Sequence, residues 1–314
     1  MKPVKLFFPA IVLLVLLFQG CKSNDLTPRE GYINVTGGKV WYKITGTGNK
    51  TPLLLLHGGP GVPSYYLKPM AALGDERPVI FIDQLGCGRS DRITDTTLMT
   101  IEAYVKELKE IHDALGLKDF YIFGHSWGTI LGTEYYFAHP EGVKALILSG
   151  PALDIPRWVK DADTLIATLP DSIQKAIRVN EKNGTYDSPA YQRAVDYYYR
   201  LYLARKQPWS ADLDSAFAQT GMNVYVHMDG QSEFTLSGNL KDYNSTGKLG
   251  NIKIPVLFIG GQYDEARPVT VKYYQSLVPG SEAAIIPDAG HCSMQDNPDE
   301  NNRVIRDFLH RIEK

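Results

Sequence analysis

Gly124-His125-Ser126-Trp127-Gly128 sets a serine between two glycines, directly after the apolar run 120–123 and before a helix-like stretch. That is the strand–turn–helix setting of a G-x-S-x-G nucleophile elbow, in which a strained turn holds the hydroxyl out beside a helix N-terminus. A serine hydroxyl is a weak nucleophile, so it needs a base within hydrogen-bond reach and an acid to orient that base. In such elbows the acid and then the histidine follow the serine along the chain. His291, in Asp288-Ala289-Gly290-His291 just past the last apolar run, is the candidate base. Its rivals are weaker: His125 adjoins the nucleophile and points elsewhere, His112 and His310 lie in amphipathic helical stretches, His139 ends one, and His227 falls in a separate helical region. Asp264, reached from the run 256–259 through Gly260-Gly261-Gln262-Tyr263, is the candidate acid. Asp154 is the alternative, and Asp288 is too near His291 in the chain to serve.

Acyl transfer through such a serine also needs donors for the oxygen that becomes negative in the tetrahedral state. The backbone N–H of Trp127 is one by the geometry of the elbow. His57-Gly58-Gly59-Pro60-Gly61 follows the apolar run 53–56, and its glycines let the chain approach without a side-chain clash. Gly59 is the candidate second donor, with Gly58 the alternative. No HExxH or clustered ligand spacing is present, so the chemistry calls for no metal and no cofactor.

These residues must be carried by elements. Continuous apolar segments at 53–56, 79–82, 120–123, 145–148, 256–259 and 283–286 suit strands buried on both faces. Helical stretches lie between them near 101–115, 130–138, 269–277 and 301–312. The alternation predicts a mostly parallel, doubly wound α/β sheet, which together with the serine elbow resembles the α/β-hydrolase fold. Ahead of it, 33–35 and 40–44 read as a hairpin turning at Gly37-Gly38. The alternation breaks over 151–248, which holds several helical patterns and Tyr197, Tyr198, Tyr199, Tyr202 and Trp209. This reads as a helical cap inserted after the sixth strand, over the sheet edge where open α/β sheets bind ligands. Packing of cap on core is the plain account of those aromatics. The predicted organisation is therefore core 31–150, cap 151–248 and core 249–314.

The N-terminal residues speak to location. Lys2 and Lys5 precede an apolar run, 11–18, that is short for a membrane span, and Gly20-Cys21 and a polar stretch follow. This resembles a bacterial lipoprotein signal over 1–20, implying cleavage before Cys21, lipid on its thiol, and a tether over 21–30. The protein would then sit in the cell envelope, anchored to a membrane. A plain secretory signal to the periplasm and a membrane-anchoring helix are the alternatives. Cleavage removes two lysines, taking the net charge from −2 to −4. Neither value, with no block of like charge, suits nucleic acid as a partner. Cys87 and Cys292 are expected to be free, small buried hydrophobes in a domain too large to need stapling.

Taken together, HGGPG at 57–61, Asp83-Gln84-Leu85-Gly86-Cys87-Gly88-Arg89-Ser90, the serine elbow, and Gly261-Gln262-Tyr263-Asp264-Glu265 resemble the proline iminopeptidase family. These are serine aminopeptidases that release N-terminal residues, often proline. Ser232-Glu233-Phe234-Thr235 and Tyr263-Asp264-Glu265 are most similar to the tricorn-interacting aminopeptidases within it. The resemblance implies that Glu233 and Glu265 bind the free amino terminus of a peptide substrate. The chemistry agrees, because an α-ammonium group has a pKa of about 8 and two carboxylates in a partly dry pocket bind it by charge-assisted hydrogen bonds. Asp83 and Arg89 read as a loop brace. An esterase or lactonase would share the triad without the glutamate pair, and a surface lipoprotein that only binds peptides would need neither.

Overall fold

The computed structural model describes residues 26–314. The signal, Cys21 and the tether up to residue 25 lie outside the described residues. Strand β1 is Arg29–Val35, β2 Gly38–Thr45 and β3 Leu53–Leu56. β3 is four leucines in a row, each wholly buried. A strand turns alternate side chains to opposite faces, so all four are buried only if both faces of the sheet are covered. β4 (Val79–Asp83), β5 (Phe120–His125) and β7 (Val256–Gly261) are buried along their whole length, and β6 (Val143–Ser149) everywhere but Lys144. With β8 (Glu282–Ile286) they form one sheet among the described residues, in the order β1-β2-β4-β3-β5-β6-β7-β8. The β1–β2 and β2–β4 pairs are antiparallel, and the rest are parallel.

The alternation of side chains is visible in the two cores. Leu54, Leu56, Ile80, Ile122, Leu146 and Phe258 pack on one face with α1 (Ile101–Leu115) and α2 (Trp127–Ala138). Leu53, Leu55, Phe81, Phe123, Ile147 and Ile259 pack on the other, under a 3₁₀ run, Ser64–Asp75, and the C-terminal helix.

Between β6 and β7 lie α3 (Ile155–Ile166), α4 (Asp171–Asn183), α5 (Pro189–Tyr202), α6 (Ala211–Ala218) and α7 (Met222–Met228). α8 (Pro268–Leu277), α9 (Ser293–Asp296) and α10 (Pro298–Ile312) complete the chain. The inserted helices carry a core of their own around Ile166, Ile177, Tyr191, Tyr198 and Phe234. Its ends meet at a neck, where Asp154 bridges Asn244 and the Ile155 N–H donates to Tyr243 O (2.9 Å).

Several expectations need adjusting. The hairpin turns at Thr36-Gly37, with Val35 opposite Gly38 and the positive φ at Gly37. β1 begins at Arg29, so Arg29 and Glu30 pair with Ile44 and Lys43 instead of ending the tether. α2 starts at Trp127, three residues before the apolar periodicity shows it. The 3₁₀ run after β3 has no repeating apolar signal and is absent from the sequence reading. Cys87 and Cys292 are free and buried, as expected. Among the described residues no helix is long and apolar enough to cross a membrane.

Candidate active site

Ser126 follows β5 and stands at the N-cap position of α2, with φ 54° and ψ −121°. A non-glycine residue there is strained by about 1–3 kcal/mol, and its surroundings hold it. The Ser126 N–H donates to Ser149 O (2.9 Å), and Ser126 O accepts from the N–H of Thr129 (2.8 Å) and its hydroxyl (2.6 Å). The flanking glycines make the turn sterically attainable. A Cβ on Gly124 would fall 2.2 Å from Gly128 O, and one on Gly128 2.2 Å from Leu56 O. The serine thus sits at the N-terminus of a 12-residue helix, where the helix dipole favours developing negative charge.

His291 and Asp264 come from the loops after β8 and β7. His291 Nδ1 lies 2.8 Å from Asp264 Oδ1, and both residues are buried. The carboxylate is itself fixed by the N–H groups of Gly261 (3.0 Å) and Ala266 (2.8 Å). Nδ1 therefore carries the proton and Nε2 is left basic. His291 and Ser126 border the same cavity. No hydrogen bond joins them among the described residues, and contacts of this kind tighten as a substrate is engaged. The backbone of this loop is tied to the end of α5, with the His291 N–H on Tyr202 O and the Cys292 N–H on Leu203 O, each 2.7 Å. Asp154, the alternative acid, instead caps α3 through the Arg157 N–H (3.2 Å).

The loop after β3 is oriented by a chain of donors. The Gln84 N–H donates to His57 Nε2 (2.9 Å), so His57 Nδ1–H donates to Gly58 O (3.0 Å). Burial lowers the pKa of His57 and keeps that ring neutral. Gly58 O also accepts from the Val62 N–H (3.3 Å). In a trans peptide the N–H points opposite to the carbonyl, so pinning Gly58 O aims the N–H of Gly59. The Gly58 N–H is occupied by the Tyr66 hydroxyl at 2.8 Å. Among the described residues the N–H groups of Gly59 and Trp127 have no partner, which favours Gly59 over Gly58 as the second donor. Asp83 braces the neighbouring loop by accepting from Ser64 N–H (3.0 Å), Ser64 Oγ (2.7 Å) and Arg89 N–H (3.0 Å). The Arg89 guanidinium lies over the rings of Trp41 and Tyr65.

A cavity of about 290 Å³ opens from Ser126 beneath the inserted helices. Trp127, Ile130, Ile155 and Trp158 line it on the apolar side, and Glu233, Glu265 and Asp229 also border it. Glu265 is 3% exposed, and among the described residues its carboxyl meets no N–H or hydroxyl donor, only the neighbouring carboxyl of Glu233. Burial, and then the charges of Glu233 and Asp264, push its pKa well above the usual carboxylate range. Glu233 is also raised by burial, opposed by the Tyr199 hydroxyl that donates to it. Burial and Glu233 push Asp229 well up. Sequence reasoning missed Asp229, Tyr66 and Gln84, whose roles depend on segments meeting in space. Tyr199 belongs to the cap aromatics, yet it serves the site, whereas its neighbour Tyr198 packs against Phe234 in the cap core.

The sequence profile of the alpha/beta hydrolase fold matches residues 51–298. A proline iminopeptidase of Heyndrickxia coagulans is 42% identical over 287 residues, covering 90% of this chain and 99% of the relative. One from Thermoplasma volcanium is 32% identical over 286 residues, 90% and 97% of the two chains. The crystal structure of the Mycobacterium smegmatis proline iminopeptidase superposes with a TM-score of 0.85 at 31% identity, covering 90% of this chain and 98% of that one.

Proposed function

The chain belongs to the proline iminopeptidase family of α/β hydrolases, and from that premise we propose that it is a serine aminopeptidase releasing N-terminal residues, proline preferentially, from peptides. The observation that carries this reading is the buried carboxyl of Glu265, which among the described residues meets the carboxyl of Glu233 and no N–H or hydroxyl donor, at the same cavity as Ser126. An apolar substrate gives such a group nothing, whereas an ammonium ion supplies the missing donors and compensates the charge of the paired carboxyls. Holding the amino terminus there sets the first peptide bond at Ser126, which makes the reaction exopeptidic.

In the proposed reaction Ser126 Oγ attacks the carbonyl carbon of the N-terminal residue while its proton passes to His291 Nε2. Asp264 stabilises the imidazolium, and the N–H groups of Trp127 and Gly59 receive the oxyanion. The C–N bond then breaks, and His291 returns the proton to the departing amine. Water, deprotonated by His291, cleaves the acyl ester and releases the free amino acid. The largely apolar cavity suits a compact first residue such as proline. The segments around Glu233 and Asp264 support assignment to the tricorn-interacting type.

Cleavage of a prolyl arylamide is tested against its N-acetylated twin. Only the free amine should turn over, and equal cleavage of both would return the protein to a general esterase or lactonase activity. For location, Lys2, Lys5, the apolar run and Gly20-Cys21 support lipid attachment at Cys21 and an envelope protein held at a membrane, with periplasmic secretion as the alternative. Cys21→Ser should release the protein into the soluble fraction, and a variant that stays membrane-bound would refute the lipid anchor.

A further inference from the structure

His125 stands inside the nucleophile turn and takes no part in the proton transfers above. Its ring is 2% exposed, and both nitrogens are engaged. Nε2 lies 3.0 Å from the carbonyl oxygen of His291, and Nδ1 lies 2.8 Å from the Tyr66 hydroxyl. That hydroxyl in turn receives the N–H of Gly58 at 2.8 Å.

A carbonyl can only accept, so Nε2 carries the proton. Nδ1 of the neutral ring is then an acceptor, and Tyr66 donates to it, which leaves the phenol oxygen free to accept from Gly58. The three bonds have one consistent polarity. A protonated ring would present a second N–H to Tyr66 and leave the Tyr66 proton buried without an acceptor. Burial, reinforced by the charge of His291, holds the pKa of His125 well below the ordinary histidine value and keeps it neutral.

The bracket joins two loops that lie far apart in the chain. At one end is the Gly58-Gly59 turn after β3, and at the other is the backbone of the residue proposed as base, after β8. Gln295 of α9 adds a second tie, donating to the Tyr66 carbonyl at 2.5 Å.

We propose that His125 is a positioning residue: with Tyr66 it forms a neutral bracket that sets the spacing between the oxyanion donor of Gly59 and the imidazole of His291 on either side of Ser126. The inference rests on the roles proposed for those three residues. It differs from a packing role in what it should alter, because a bracket of this kind acts on the transition state and not on capture of the amino terminus.

The test compares the wild-type protein with Tyr66→Phe, His125→Asn and the double variant, using a fluorophosphonate and a prolyl arylamide. The fluorophosphonate reads attack by Ser126 without requiring an amino terminus, so the result does not depend on peptidase activity. Each single variant should lose about tenfold or more in phosphonylation rate and kcat, with KM within about twofold. The double variant should lose no more than the worse single one, since both break the same bracket. Tyr66→Phe removes a single hydroxyl and keeps the ring, so it decides the matter even if His125→Asn fails to fold. A wild-type phosphonylation rate in Tyr66→Phe, a loss confined to KM, or losses that multiply in the double variant would overturn the proposal. A wild-type protein that phosphonylates but leaves the prolyl arylamide intact would instead refute the aminopeptidase reading.

Discussion

A Cβ on Gly150 would lie 2.5 Å from Cε1 and 2.6 Å from Nδ1 of His291. The glycine that follows β6 therefore defines one wall of the imidazole's seat, and its φ of 54° lies in the left-handed region. In Gly150→Ala the methyl group must displace the ring from Asp264. A displacement of this order costs about 100-fold in rate, and the backbone penalty adds about 1–2 kcal/mol of destabilisation. Steady-state kinetics together with a thermal melt check both, and an unchanged kcat would mean that the ring has room to spare.

Ser126→Ala and Asp264→Asn separate chemistry from folding. The first should lower kcat by about 10⁶-fold and the second by about 10⁴-fold, since the amide leaves the imidazole in the wrong tautomer. Circular dichroism should show both variants folded. Retained turnover in either would displace that residue from the reaction.

Glu265→Gln should trade capture for stability. Without the charge, KM for free-amine substrates should rise about tenfold or more, with a smaller change in kcat. The effect on stability follows from the direction of the pKa shift. A carboxyl whose folded pKa is raised binds its proton more tightly in the folded state, so its folded form loses stability as pH climbs past the unfolded value of about 4.3. The glutamine variant should therefore melt with the wild type near pH 4 and above it at pH 8, by about 1–3 kcal/mol. Melts across that range decide it.

Asp229→Asn bears on the same pocket. Asp229 contributes to the raised pKa of Glu265 and is itself raised by burial and by Glu233. Removing one of three neighbouring acids should ease ionisation of the others, moving the acid limb of kcat/KM to lower pH. A pH profile with an unmoved acid limb would place Asp229 outside the titrating group.

The parts of this site visible in the sequence are those carried by local backbone rules. Ser126 announces itself because an elbow needs glycines at 124 and 128. The strands announce themselves because parallel strands buried on both faces must be apolar throughout, as β3 is. The order of serine, aspartate and histidine then follows from the topology. What stays hidden is set by contacts between segments distant in the chain. Asp229 looks like any acid at a helix end until α7 carries it to the cavity of Glu265. Tyr66 sits in a 3₁₀ run whose irregular spacing gives no periodic signal. His125 reads as an idle neighbour of the nucleophile because nothing in GHSWG reveals that its ring reaches the backbone of His291.

The hydrogen bonds from His291 and Cys292 to the end of α5 have a consequence for traffic through the enzyme. A roof that swung away as one body would drag the imidazole loop with it and dismantle the reaction centre on every opening. The α6–α7 side is fastened in the same way, with the Gly221 N–H on Gly61 O (2.8 Å) in the HGGPG loop and the Gly88 N–H on Gln219 O (3.3 Å), so a peptide must pass without a swing of the inserted helices as a whole.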